Sequence, residues 1–176
     1  QLVDRQTDLG LDYFNTVEER YDRMSKAEEN AEVFTLGFKS IDDSLSGGGL
    51  CRGELGAWIA TSGTGKSLAL VVAAVKNIAK GKKVLYISTE MDADRIAARF
   101  DSQFSLIGQH ELLPRKEEVW GALRDGVTDY DNKKRLIIKQ FFSGIADVNT
   151  IRAFHAQCVM DNFRPDLVIV DYPGDM

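Results

Sequence analysis

The chain reads as an α/β protein, with a mostly parallel sheet and helices on both faces, and three observations predict it. Short apolar runs alternate with helical patterns over most of the 176 residues. Parallel strands need long crossovers, usually helices, so this alternation marks that architecture. One apolar run is followed by a glycine loop and then a helix, in the stretch Ala60 to Ser67, ATSGTGKS. Another, Leu167 to Val170, ends in a carboxylate, Asp171.

Residues 9 to 31 set Phe14, Val17, Tyr21 and Met24 at spacings of three and four among Glu18, Glu19, Arg20, Asp22, Arg23 and Lys26. That is a narrow apolar stripe on a charged helix. So thin a stripe cannot fill a central core position; the helix either lies on the flank of this domain or docks on a neighbouring molecule, and the neighbour is the expected reading. From Val33 the character changes, which divides the chain into a linker helix region, 1–32, and a domain, 33–176.

In FTLGFKSIDDSL, Phe38, Ile41 and Leu45 share one helical face, and the SGGGLCRGEL turn leads into GELGAWIA, expected to be a buried strand over 54–60. SLALVVAAVKNIAKG then reads as a helix and KKVLYIS, 82–88, as a second strand. DADRIAARFDSQFSLIG, 92–108, is a helix with Asp92 as its cap. Residues 109–134 are polar and mixed, with a short helix around EEVWGALRDG. RLIIKQFF, 135–142, is a third strand. DVNTIRAFHAQCVMDN, 147–162, is a helix with Ile151, Phe154, Cys158 and Val159 inward, and DLVIVD, 166–171, is the fourth strand.

Composition narrows the function classes. With 44% hydrophobic and 28% charged residues the chain can bury a core. No apolar run reaches about 18 residues and nothing resembles a signal peptide, so the expected setting is cytoplasmic, with no membrane partner. Cys51 and Cys158 are too few for a disulfide framework and read as packed thiols. Against 27 Asp+Glu stand 22 Lys+Arg, a net charge of −5, which gives no overall footprint for nucleic acid. Arg124, Lys133, Lys134 and Arg135 could line a DNA channel, but a solvated surface is the expected reading. His110 and His155 have no metal-ligand spacing and read as structural or solvated, and Trp58 and Trp120 as core or partly buried.

The loop at 60–67 carries the chemistry. Backbone N–H groups can turn inward around an anion only where no Cβ interferes or φ may be positive, which is why glycines recur at such positions. Gly63 and Gly65 meet that need, and Ser62, Gly63, Thr64, Gly65, Lys66 and Ser67 are the candidate nucleotide-binding residues. Lys66 opens the following helix, so its ammonium and the helix N-terminus face the β- and γ-phosphates together, while Ser67 can ligate Mg²⁺. Ala60 stands where the strict pattern has its first glycine. The predicted ligand is a nucleoside triphosphate.

Asp171, at the C-terminal edge of a buried parallel strand, is placed to hold the Mg²⁺, through water. Glu90, just past the second strand in ISTEM, reaches the same edge of the sheet. A carboxylate there could orient and deprotonate a water for attack on the γ-phosphate, so Glu90 and Lys66 are the candidate catalytic residues. The competing reading of Glu90 is an acid favoured by the dipole at the start of the helix 92–108.

The succession FTLGFKSIDDSL, GGGLCRGELGAWIATSGTGKSLAL, GKKVLYISTEMDADRIAARF and PDLVIVDY resembles the RecA-like ATPase domain of DnaB-type replicative DNA helicases, phage versions included, from about Phe34 to Tyr172. Its most specific part is ISTEM followed by a helix with Arg95, Ile96 and Arg99, similar to the family's serine-leucine-glutamate-methionine segment. The resemblance implies a RecA-like P-loop fold preceded by an amphipathic linker helix that packs on an adjacent subunit. It also implies Glu90 as catalytic base, Lys66 and Ser67 on the phosphates and Mg²⁺, ATP as the nucleotide, a hexameric ring and movement along single-stranded DNA. The triple glycine of SGGGLCRGE is similar as well to KaiC-like and RadA-like ATPases, which implies as the alternative a regulatory or recombination ATPase without unwinding activity. Pro173 and Gly174 depart from the helicases, which have apolar residues there. In this family a later strand lies between the phosphate-loop strand and the Asp171 strand, and the arginine finger and DNA loops come later still. The resemblance therefore implies a fragment of the domain, poorly folded and inactive in isolation.

Overall fold

The computed structural model describes residues 11–29, 32–127, 134–142, 144 and 146–171. Lys133, Pro173, Gly174 and the outer ends of the 9–31 segment lie outside the described residues. The chain divides into two compact units, Gln1–Glu32 and Val33–Met176.

In the first unit, helix α1 spans Val17–Glu29. It starts later than the apolar spacing predicts. Asn15 donates its backbone N–H and its side-chain Nδ2 to the Asp12 carboxylate, a local side-chain to backbone pairing that competes with helix and makes a turn of residues 12–16. Phe14 therefore sits in that turn, ahead of the helix. Among the described residues Phe14, Val17, Tyr21 and Met24 are all exposed, Phe14 touching the Tyr13 ring edge-on.

The second unit is built on three parallel strands in the order β4-β3-β5. These are β3 (Val84–Ser88), β4 (Leu136–Gln140) and β5 (Leu167–Asp171). Two short strands, β1 (Val33–Phe34) and β2 (Leu50–Cys51), make a separate antiparallel ribbon. The helices are α2 (Lys39–Asp42), α3 (Lys66–Ala79), α4 (Ala93–Ser105), α5 (Lys116–Gly126) and α6 (Val148–Met160).

Helices cover both faces of the sheet because β3, buried throughout, alternates its side chains between them. Val84 and Tyr86 pack with Val71, Ala74 and Ile78 of α3 and Ile96 and Phe100 of α4. Leu85 and Ile87 face the other way, onto Cys158 of α6 and Phe163. Burial pushes the Cys158 thiol up from its ordinary value, so it is a packing group. Asp92 caps α4 by accepting from the Arg95 N–H at 2.9 Å.

The buried strand expected over 54–60 is not formed. Leu55 and Ile59 are each 94% exposed, and no described strand lies alongside them. An apolar run becomes a strand only when a neighbour takes its backbone hydrogen bonds, and among the described residues β5 pairs on its β3 side alone. Three smaller expectations are corrected too. The helical face of Phe38, Ile41 and Leu45 shrinks to the single turn α2, because the Asp42 carboxylate accepts from the Leu36 N–H and the Thr35 hydroxyl and folds the chain back on itself. Val159 points outward on α6, and Trp120 is exposed on α5, where the Lys116 ammonium lies over its ring.

Candidate functional site

Two strand ends and one helix start meet at the C-terminal edge of the sheet. The parallel register pairs Ser88 of β3 with Asp171 of β5, so the chain leaving β3 emerges beside the Asp171 carboxylate. The ladder continues one step further, with the Thr89 N–H donating to the Asp171 carbonyl at 2.9 Å. Ser88 then shapes the turn that carries Glu90. Its hydroxyl donates to the Met91 carbonyl at 2.8 Å and accepts from the Met91 N–H at 3.0 Å.

On the other side of the site, α3 begins at Lys66 after a loop whose two glycines need their freedom. Gly63 has φ +76° and Gly65 φ +97°, left-handed conformations that a side chain strains. Thr64 holds the turn by donating its hydroxyl to the Thr61 carbonyl at 2.7 Å. The Lys66 ammonium donates to the carbonyls of Ala60 and Thr61 at 2.9 and 3.0 Å, so it lies over the loop it would share with a phosphate.

The contact that joins the halves spans 104 residues of sequence: Ser67 Oγ donates to Asp171 Oδ1 at 3.1 Å. Ser62, Gly63, Gly65, Lys66, Ser67, Glu90 and Asp171 all line one cavity of about 720 Å³. Thr64, the remaining candidate, does not line it. Asp171 is buried, Lys66 and Ser67 half-buried, and Glu90 exposed at the rim.

The donor set of Ser67 and Asp171 suits magnesium. Both offer hard oxygens, and Mg²⁺ is typically held by one or two protein oxygens together with substrate phosphates and water. Among the described residues no group of three His, Cys, Asp or Glu forms a metal cluster of another kind.

Beside the apolar Leu68 and Met91, three polar residues at the site are not among the candidate site residues of the sequence. Arg99 of α4 and Gln109 of the short 3-10 turn Gln109–Glu111 line the same cavity. Tyr86 donates its hydroxyl to Asp171 Oδ2 at 2.8 Å. Burial, with the Asp171 carboxylate beside it, pushes the Tyr86 hydroxyl well above its ordinary value, so it remains a donor. No helix among the described residues is long and apolar enough to cross a membrane.

The sequence is similar to those of known proteins. A family model described as the DnaB-like helicase C terminal domain matches residues 34–176. The DnaB-like replicative helicase of Enterobacteria phage T4 is 30% identical over 178 residues, which covers 94% of this chain and 35% of that protein. The DNA repair protein RadA of Aquifex aeolicus (strain VF5) is 42% identical over 72 residues, covering 41% of this chain and 16% of RadA. The chain thus spans about a third of the length of the phage relative and less of RadA.

Proposed function

The chain belongs to the DnaB-like helicase C-terminal domain family, and from that premise we propose that it forms the Mg²⁺-dependent, ATP-hydrolysing motor of a replicative DNA helicase acting on single-stranded DNA. The observation that carries this reading is the Ser67 to Asp171 contact, 3.1 Å, in a cavity that Lys66 and Glu90 also line. A phosphate cradle, two metal-ligating oxygens and a carboxylate free at the rim are the parts that hydrolysis of a γ-phosphate needs.

Each residue then has a task. The amides from Ser62 to Ser67 and the α3 N-terminus receive the phosphates. Lys66 exchanges the carbonyls of Ala60 and Thr61 for β- and γ-phosphate oxygens, where its charge stabilises the charge that builds up in the transition state. Ser67 and Asp171 would hold the Mg²⁺, Asp171 through water, and a bound ion there neutralises phosphate charge. Glu90 orients the attacking water and accepts its proton.

The domain division at 32/33 fits an amphipathic linker helix ahead of the motor, and a stripe exposed among the described residues supports docking on an adjacent subunit of a hexameric ring. The rival reading, a RadA-like ATPase that uses nucleotide without strand separation, draws on the 42% identity over 72 residues. The helicase is favoured because its family model runs across residues 34–176. In the full-length protein, ATP hydrolysis stimulated by single-stranded DNA together with unwinding of a forked duplex supports the helicase. Stimulation without unwinding supports the rival. Lys66→Ala should abolish tight binding of a fluorescent Mg·ATP analogue, and unchanged affinity would overturn the phosphate-loop assignment.

A further inference from the structure

Asp171 is a buried carboxylate held by two hydroxyls from two different elements. Ser67 of α3 donates to Oδ1 and Tyr86 of β3 to Oδ2, and among the described residues no Lys, Arg or His forms an ion pair with it. Buried charges are normally paired or bind metal. The two oxygens are not equivalent: Oδ1 lies beside Ser67 at the phosphate loop, while Oδ2 is turned toward the core.

Tyr86 has little freedom to do otherwise. Its ring is fully buried, edge-on to Phe100 at 5.6 Å between centroids, and fixed between α3 and α4. In the parallel register Tyr86 pairs with Ile169, one step of the same face short of Asp171. A tyrosine is long enough to cover that diagonal with its hydroxyl. A phenylalanine in the same place would leave Oδ2 buried without a donor.

We propose that Tyr86 is a positioning residue for the metal site: by occupying Oδ2 it fixes the rotation of the Asp171 carboxylate, so that Oδ1 is the oxygen presented beside Ser67. This rests on the assignment of Ser67 and Asp171 to the metal. With the carboxylate pinned, metal binding does not have to order it. Without the hydroxyl, Asp171 turns toward whichever donor it can find and the metal must recover it.

Tyr86→Phe removes a single oxygen. In the full-length protein with saturating ADP, Mn²⁺ affinity read by electron paramagnetic resonance should fall about tenfold, the low end for losing a partner that orients a ligating carboxylate. Affinity for a fluorescent ADP analogue in EDTA should be unchanged, because phosphate and base contacts are not touched. Unchanged Mn²⁺ affinity in a folded Tyr86→Phe protein overturns the proposal. Asp171→Asn, measured in parallel, separates the two levels of the argument. If Asp171→Asn also leaves Mn²⁺ affinity intact, the metal assignment itself fails; if Asp171→Asn weakens it and Tyr86→Phe does not, only the role of Tyr86 fails. Should Tyr86→Phe not fold, 3-fluorotyrosine placed at position 86 alone gives the answer. Its fluorine resonance should shift on adding Mg·ADP but not ADP in EDTA, and a resonance that ignores the metal overturns the proposal.

Discussion

Asn77 ties the β1 segment to α3, the helix that follows the glycine loop, and replacing it with leucine should destabilise the protein by about 2 kcal/mol. The side chain is fully buried on α3, and Nδ2 donates to the carbonyls of Thr35 and Ala73, each at 2.8 Å. Its Oδ1 is buried with no partner. Leucine keeps the volume but removes both bonds, at about 1 kcal/mol each. The carbonyl of Thr35 loses that donor inside a buried residue, at about 1–3 kcal/mol, while deleting the unpaired Oδ1 returns a similar amount. Ala73 is less affected, since its carbonyl retains the helix bond of α3. The two orphan terms offset each other and the two lost bonds remain. For a domain of this size that is a fall in Tm of roughly 4–8 °C. Urea and thermal unfolding of the variant test it, with amide exchange at Leu36 and Gly37 as the local readout. An Asn77→Leu protein as stable as wild type, with exchange unchanged there, would refute the reasoning.

The Asp147 carboxylate accepts from the N–H and the hydroxyl of Thr150, both at 2.7 Å, and these bonds, the backbone one first, hold its pKa below the ordinary value. A group with a depressed native pKa stabilises fully above the ordinary carboxylate value, near pH 4, and that contribution is lost as pH falls through the native value. Asp147→Asn should therefore flatten the acid limb of α6 unfolding, followed by amide exchange at 148–150, with little change at neutral pH; an unaltered acid limb would contradict this. In the first unit, changing Phe14 and Tyr21 together to Ser should shift light-scattering mass of the full-length protein toward monomer while the melting transition stays cooperative. Unchanged mass would remove the stripe from the assembly.

Much of the second unit is legible in the sequence because its strands are short apolar runs with turn signals at both ends. KKVLYIS and DLVIVD become β3 and β5, and Asp92 caps α4. These features depend on nearby residues. The segment 54–60 is as apolar as the others, yet what makes a strand is the neighbour that accepts its hydrogen bonds, and no local pattern encodes that. The same limit applies to Tyr86. Within VLYIS it reads as one more core residue, and its bond to Asp171 depends on a register across 85 residues of sequence. Val159 departs from the expected inward face for a different reason: α6 is only weakly amphipathic, so a residue next to the inward Cys158 can point either way. That the glycine loop, Glu90 and Asp171 share a cavity is legible because residue types suited to a phosphate site stand out in the sequence, while Arg99 and Gln109 join them only through the packing of α4 and the turn after it.

The most direct test of the central claim is single-turnover hydrolysis of bound ATP by the full-length protein carrying Glu90→Gln. The amide keeps the shape and position of the side chain at the cavity rim but cannot accept a proton. The account predicts Mg·ATP affinity equal to wild type with hydrolysis slowed by about 10²–10⁴-fold, the range for losing a general base. Hydrolysis at the wild-type rate would contradict it and leave Glu90 as an acid at the start of α4, with no part in the chemistry.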